Sequence, residues 1–192
     1  MNILQDLQKQ NFKKLKRQFT FLFILLIQQA VNCQSEFDSL FVNSPRESIN
    51  KIKLEFSDDY GNETFVPLTV IKGKEKGIVF TILAGVHGAE YAPIIATQKL
   101  LKKLEVNRLL GTIIILPITN IGAFYSSTPY VNPIDNLNIN RIFPGNENGS
   151  VSEKIAHFIA TKIIPVSDVF LDAHSGDANE DLLPFVCYYD NK

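Results

Sequence analysis

Three apolar, β-rich runs recur along the chain: GIVFTILA (77–84), GTIIILPI (111–118) and DVFLDAH (168–174). A strand that is apolar on both faces must be covered on both faces, as in a parallel sheet packed between helices. The intervening sequence supplies the helices. AEYAPIIATQKLLKKL (89–104) and VSEKIAHFIATKII (151–164) carry apolar side chains at helical spacing, with polar residues on the opposite stripe. Strand, helix, strand, long loop, helix, strand defines an α/β fold with a mixed, at least partly parallel sheet. Upstream, IKLEF (52–56) alternates as a strand and DDYGNET (58–64) is a turn. FVPLTVI (65–71) is a second strand, and its Pro67 points to an edge position.

The chain has 192 residues, 45% of them hydrophobic, which suits one globular domain with a real core. Net charge is −1 and no basic stripe lies outside the N-terminus, so a nucleic-acid partner is not expected. Cys33 and Cys187 show neither metal-type spacing nor a disulfide framework. The first 33 residues stand apart. Lys9, Lys13, Lys14, Lys16 and Arg17 precede the short apolar run FTFLFILLI, and Val31 and Cys33 occupy the −3 and −1 positions of an export-signal cleavage site. Residues 1–33 are therefore expected to be a signal peptide cut after Cys33, giving a secreted or periplasmic protein. An uncleaved membrane anchor and a basic amphipathic helix are the alternatives. Residues 34–50 then form a linker containing a short helix, and 51–192 form the main domain.

In open α/β sheets, ligands bind where strands reach their carboxyl ends. His87 and Glu90 follow the first buried strand in AGVHGAEY. Gly85 and Gly88 bracket the histidine and permit a tight turn. Asp172 and His174 close the third strand. The long loop 120–149 carries Asn140 and Arg141, and irregular stretches of that length are usually functional. His87 and Glu90, joined by a distant histidine, make a His2Glu donor set suited to Zn²⁺ with a fourth position open for water. Each residue also has a plainer role. His87 and His174 can be hydrogen-bonded core histidines, and Glu90 can be an acid complementing a helix N-terminus. Arg141 can pair with Asp135 within its loop. Asp172, two residues before His174, is placed to orient an imidazole. His157 lies mid-helix on a more exposed stripe and reads as structural.

Three blocks in order resemble the succinylglutamate desuccinylase/aspartoacylase family of zinc hydrolases: GVHGAEY, PIDNLNINRIFPG and LDAHSGD. The resemblance runs from about Lys53 to about Phe185. It implies a three-layer, zinc carboxypeptidase-like fold with one Zn²⁺ per chain, held by His87, Glu90 and His174. It further implies that Asn140 and Arg141 bind the carboxylate of a small N-acyl amino acid or peptide-like substrate, whose amide or ester bond metal-activated water hydrolyses. Two departures accompany it. The family's general-base glutamate comes from a strand well after the third ligand, whereas this chain ends at Lys192; Glu180 is too near His174 to be that base. The domain is thus expected to be its N-terminal part, with no catalytic base assigned. The family's additional arginine is also missing, because no Lys or Arg lies between Arg108 and Asn140. An inactive zinc- or carboxylate-binding module and a peptide-cleaving carboxypeptidase are the alternative functions.

Overall fold

A computed structural model describes Lys16 and residues 36–188. The elements, in chain order, begin with helix α1 (residues 36–43). They continue with β1 (Ser48–Ser57), β2 (Glu63–Lys72), β3 (Glu75–Ala84), α2 (Tyr91–Lys103), β4 (Leu110–Leu116), α3 (Ile121–Ser126), α4 (Val151–Phe158) and β5 (Val169–Ala173). A π turn (Ile159–Ile163) and a 3-10 turn (Ile164–Val166) extend α4. The expected signal segment 1–33, including Cys33, falls outside the described residues apart from Lys16. No helix among the described residues is long and apolar enough to cross a membrane.

The five strands form one mixed sheet in the order β1-β2-β4-β3-β5. β1 and β2 are antiparallel, β2 and β4 are antiparallel, and β3 runs parallel to both β4 and β5. Alternating side chains feed the two faces, as the period of two in a strand requires. Ile114 and Leu116 of β4 join Leu54, Val66, Leu68, Val70 and Leu83 on one face, beneath Ile155, Phe158 and Ile159. Ile115 joins Ile71 and Ile82 on the other face, packed against Leu101 and Leu104 from the end of α2. The result is helix, sheet, helix in three layers.

Four details differ from the reading of the sequence. β2 is not an edge strand: β1 flanks it on one side and β4 on the other. Pro67 is tolerated because β4 pairs only with Thr69–Lys72, so the stretch around Pro67 is bonded on the β1 side alone. β3 is buried only in its second half, because β5 covers Phe80–Ala84 and leaves the start of the strand uncovered. β5 is not buried. It lies at the sheet edge among the described residues, with Val169 and Leu171 exposed. Over its described part, segment 34–50 is not a free linker. Phe37 is fully buried and its ring meets Phe158 edge-on at 5.6 Å, and β1 already begins at Ser48. Residues 181–188 are exposed and form no regular element.

Candidate metal centre

The parallel strands β4, β3 and β5 all end on the same side of the sheet, so the chain segments that follow them meet there. The turn after β3 is built for close approach. Gly85 has φ +63°, and a Cβ on Gly88 would overlap the carbonyl of Ala123 and the amide of Phe124. Only glycine lets this turn lie against α3. The turn is tied to the end of β4 by Asn120 N–H donating to Gly85 O at 2.8 Å, and by Thr119 N–H and Oγ1–H donating to Ala84 O. His87 and Glu90 are consequently buried, at 7% and 5% exposure.

The two carboxylate oxygens of Glu90 face different histidines. His87 Nδ1 is 2.7 Å from Oε1, and His174 Nδ1 is 2.8 Å from Oε2. The Ser175 N–H donates to Oε2 at 3.3 Å. One donor atom from each of His87, Glu90 and His174 lies within 4.8 Å of the others, a grouping that could hold a metal ion. The far nitrogens are also held. His87 Nε2 is 3.2 Å from Asn138 Oδ1, and His174 Nε2 is 3.0 Å from Asp172 Oδ2. Asn138 Oδ1 also accepts from the Asn140 N–H at 3.0 Å, which fixes the side-chain amide with its oxygen toward His87. Each Nε2 therefore carries a proton toward an acceptor, and each Nδ1 is aimed at Glu90.

Charge follows from this geometry. Burial alone would push the Glu90 carboxyl up. The hydrogen bonds from His174 and His87 outweigh it and hold the group down at about 2. His174, hydrogen-bonded first to Asp172 and then to Glu90, is pushed up to about 10, with burial opposing. These directions describe the metal-free centre, in which protons occupy the positions between donors. A metal ion would displace them.

Of the residues singled out in the sequence, His87, Glu90, His174 and Asp172 come together. Asn140 borders the group, with Nδ2 3.5 Å from His174 Nε2. Arg141 lies beside it, exposed, with Nη1 donating to the Asn140 carbonyl at 3.3 Å. The loop pair between Arg141 and Asp135 is not formed. Asp135 instead accepts from Ser152 N–H and Oγ–H at 2.9 Å each, pinning the loop to the start of α4. His157 is remote from the group and lies 4.0 Å from Glu147. Two residues escaped the sequence reading. Asn138 holds His87, and its only local signal was its place before the 3-10 turn Ile139–Arg141, which its side chain caps. Tyr130 stands edge-on to His87, with ring centroids 5.3 Å apart and planes at 89°. Nothing in its neighbourhood along the chain marks it.

A mixed sheet between helices, with a His-Glu-His group at its carboxyl edge, defines an α/β protein of the zinc carboxypeptidase-like fold. A metallo-carboxypeptidase from Pseudomonas aeruginosa shares that fold at 13% identity, with a TM-score of 0.54 over 80% of this chain and 39% of its own. The family model for the succinylglutamate desuccinylase/aspartoacylase catalytic domain matches residues 76–192, and the chain belongs to that family. It is 40% identical over 136 residues to N-alpha-acetyl-L-2,4-diaminobutyric acid deacetylase of Halomonas elongata, covering 70% of this chain. It spans 39% of that relative's length. A crystal structure of an aspartoacylase family protein from Mesorhizobium loti is 33% identical, with a TM-score of 0.62 over 69% of this chain and 41% of its own.

Proposed function

We propose that this chain carries the metal- and substrate-binding half of a zinc-dependent deacylase acting on a small N-acyl amino acid. The observation that carries the proposal is the convergence of His87 Nδ1, His174 Nδ1 and a Glu90 oxygen, with both Nε2 atoms already held by acceptors. Two imidazoles and one carboxylate fit Zn²⁺ with an open position. A carbonyl or carboxylate behind each imidazole is the usual support for such ligands. The 40% identity to a protein named as a deacetylase of an N-acetylated amino acid supports the substrate class.

Bound zinc would supply a Lewis acid for the acyl carbonyl and lower the pKa of water in the open position. The chain supplies the rest of the environment. Asn138 and Asp172 keep the Nε2 protons in place, so the Nδ1 lone pairs face the ion. Arg141 is exposed beside the centre, and its fork of N–H donors matches a substrate carboxylate. Asn140, between Arg141 and His174, adds an amide that can orient the same group. Glu90 is a ligand of the ion in this reading and does not serve as the proton acceptor for water. None of the described residues is assigned that role.

The test is metal analysis of the purified full chain beside His87→Ala and His174→Ala, together with hydrolysis of N-acetyl-2,4-diaminobutyrate, N-acetylaspartate and N-succinylglutamate. About one zinc per chain, lost in both variants, is expected from a three-ligand site. A folded wild-type chain that takes up no zinc, or variants that retain it, would refute the site. Zinc binding without hydrolysis of any of the three would refute the deacylase activity of this chain and leave a carboxylate-binding module.

A further inference from the structure

His87 is enclosed on every side that the structure describes. Glu90 meets its Nδ1, Asn138 meets its Nε2, the His174 ring lies 5.1 Å away at 53°, and the Tyr130 ring lies 5.3 Å away at 89°. Tyr130 differs from the rest in leaving much of a large ring in solvent, at 48% exposure. Its place is set by the backbone around it. Thr128 N–H donates to Ala123 O at 3.0 Å and Thr128 Oγ1–H to Val131 O at 2.8 Å. Asn132 is buried, donates from its N–H to Leu137 O at 2.9 Å, and donates from Nδ2 to Ser152 Oγ at 3.1 Å. The turn that carries Tyr130 is thus anchored on both sides, and the ring is presented ready-made.

The solvent-facing rim of the centre has two unlike ends. Asn140 reaches His174, with Arg141 exposed beside it, whereas Tyr130 lies on His87. In an N-acyl amino acid the carboxylate and the acyl group stand on opposite sides of the scissile amide. With the carboxylate on Arg141 and the amide at the centre, the acyl group points toward Tyr130. Charge at that end is one-sided. No Lys or Arg occurs from residue 109 to 140 or from 163 to 191. The turn after β5 carries Asp177, Glu180 and Asp181, and it is tied to the loop of His87 by Ala178 N–H donating to Ala89 O at 3.2 Å. An apolar ring with acids nearby and no cation suits a neutral group and opposes a second carboxylate.

We propose that Tyr130 is a specificity-determining residue: its ring walls the acyl end of the site and, in these surroundings, selects an uncharged acyl group over one that ends in a carboxylate. The proposal rests on the deacylase reading above and narrows its substrate class.

The experiment uses zinc-loaded full chains of wild type, Tyr130→Ala, Tyr130→Arg and Arg141→Ala. Zinc content and urea midpoints are recorded for each. The probes are 2,4-diaminobutyrate and its N-alpha-acetyl, N-alpha-butyryl and N-alpha-succinyl derivatives. Butyryl and succinyl have the same chain length and differ in the terminal carboxylate. Affinities come from isothermal titration calorimetry, and kcat/KM takes their place where a probe is turned over. Ratios between probes are compared, so a change in zinc occupancy common to all probes cancels. Wild type is expected to prefer butyryl to succinyl about tenfold, a like-charge penalty reduced by screening. Tyr130→Ala is expected to lower the butyryl-to-free-amino-acid ratio about fivefold, as for a lost apolar contact in a half-open pocket. Tyr130→Arg is expected to reverse the order of butyryl and succinyl. Arg141→Ala is expected to weaken all four probes alike. A wild type that binds succinyl as well as butyryl would overturn the charge selection. Zinc uptake with an acyl order that neither Tyr130 variant changes would overturn this inference alone. A chain that takes up no zinc would overturn the metal-centre reading and this inference with it. A zinc-loaded chain that binds none of the probes would overturn this inference together with the carboxylate role of Arg141.

Discussion

Glu90 makes the acid stability of the metal-free chain a direct test of the centre's geometry. Its carboxyl is held at about 2 against an ordinary value of 4.5. A depressed carboxyl contributes stability that is complete above the unfolded value and is lost as pH falls toward the folded one. The window is therefore pH 4.5 down to about 2. The depression corresponds to at most about 3 kcal/mol, lost at no more than about 1.4 kcal/mol per pH unit. The raised value of His174 comes first from Asp172 and then from Glu90, and its Glu90 part is the same hydrogen bond seen from the other end, so it is not added. The perturbation is Glu90→Gln, which keeps the volume and removes the titration. The assay is urea unfolding at pH 6, 5, 4 and 3 with a chelator present. Other carboxylates, such as Asp58 with its hydrogen bonds from Asn62 and Tyr60, are common to both proteins and cancel in the difference. Wild type is expected to exceed Glu90→Gln by a margin that is constant from pH 6 to 5 and shrinks below 4.5. A margin that stays flat down to pH 3 would show that the two histidines do not hold the carboxylate as described.

Other outcomes follow from the same contacts. Asn138→Ala leaves His87 Nε2 without its acceptor and is expected to weaken zinc binding about 10- to 100-fold, read by chelator competition. Gly88→Ala places a methyl group against the backbone of Ala123 and Phe124, which cannot rotate away. Its expected cost is about 1–3 kcal/mol, measured by urea unfolding, and a neutral result would contradict the close packing of the ligand turn on α3. Leu171→Lys puts a charge on the exposed edge strand and is expected to reduce concentration-dependent association in light scattering. An unchanged profile would mean that the β5 edge is not where copies associate.

The element types were legible because they depend on local periodicity. GIVFTILA, GTIIILPI and DVFLDAH read as strands and are strands, and the lysine-backed stretch around 89–104 is α2. The metal-binding candidates were legible for a related reason. His87 and Glu90 sit three residues apart beside two glycines, and His174 ends an apolar run. Chemistry-bearing residues at strand ends stand out against an apolar background. Burial was less legible. The apolar character of β5 suggested cover on both faces, yet cover depends on which strands and helices lie alongside, and that is a property of neighbours distant in sequence.

The sequence by itself determined an α/β chain with a His-Glu pair after one strand, a histidine after another, and an Asn-Arg pair in a long loop between them. Only the tertiary structure decided the strand order, which puts β2 inside the sheet despite Pro67 and leaves β5 at its edge. Only it decided that Glu90 divides its two oxygens between His87, three residues away in sequence, and His174, 84 residues away. It also decided that Asn138, rather than a carboxylate, backs His87, and that Tyr130 stands edge-on to His87. The physical reason is the same in each case. Periodicity records which face of an element is buried, but hydrogen-bond partners and ring contacts are chosen by long-range packing, which brings together residues that carry no mark of each other along the chain.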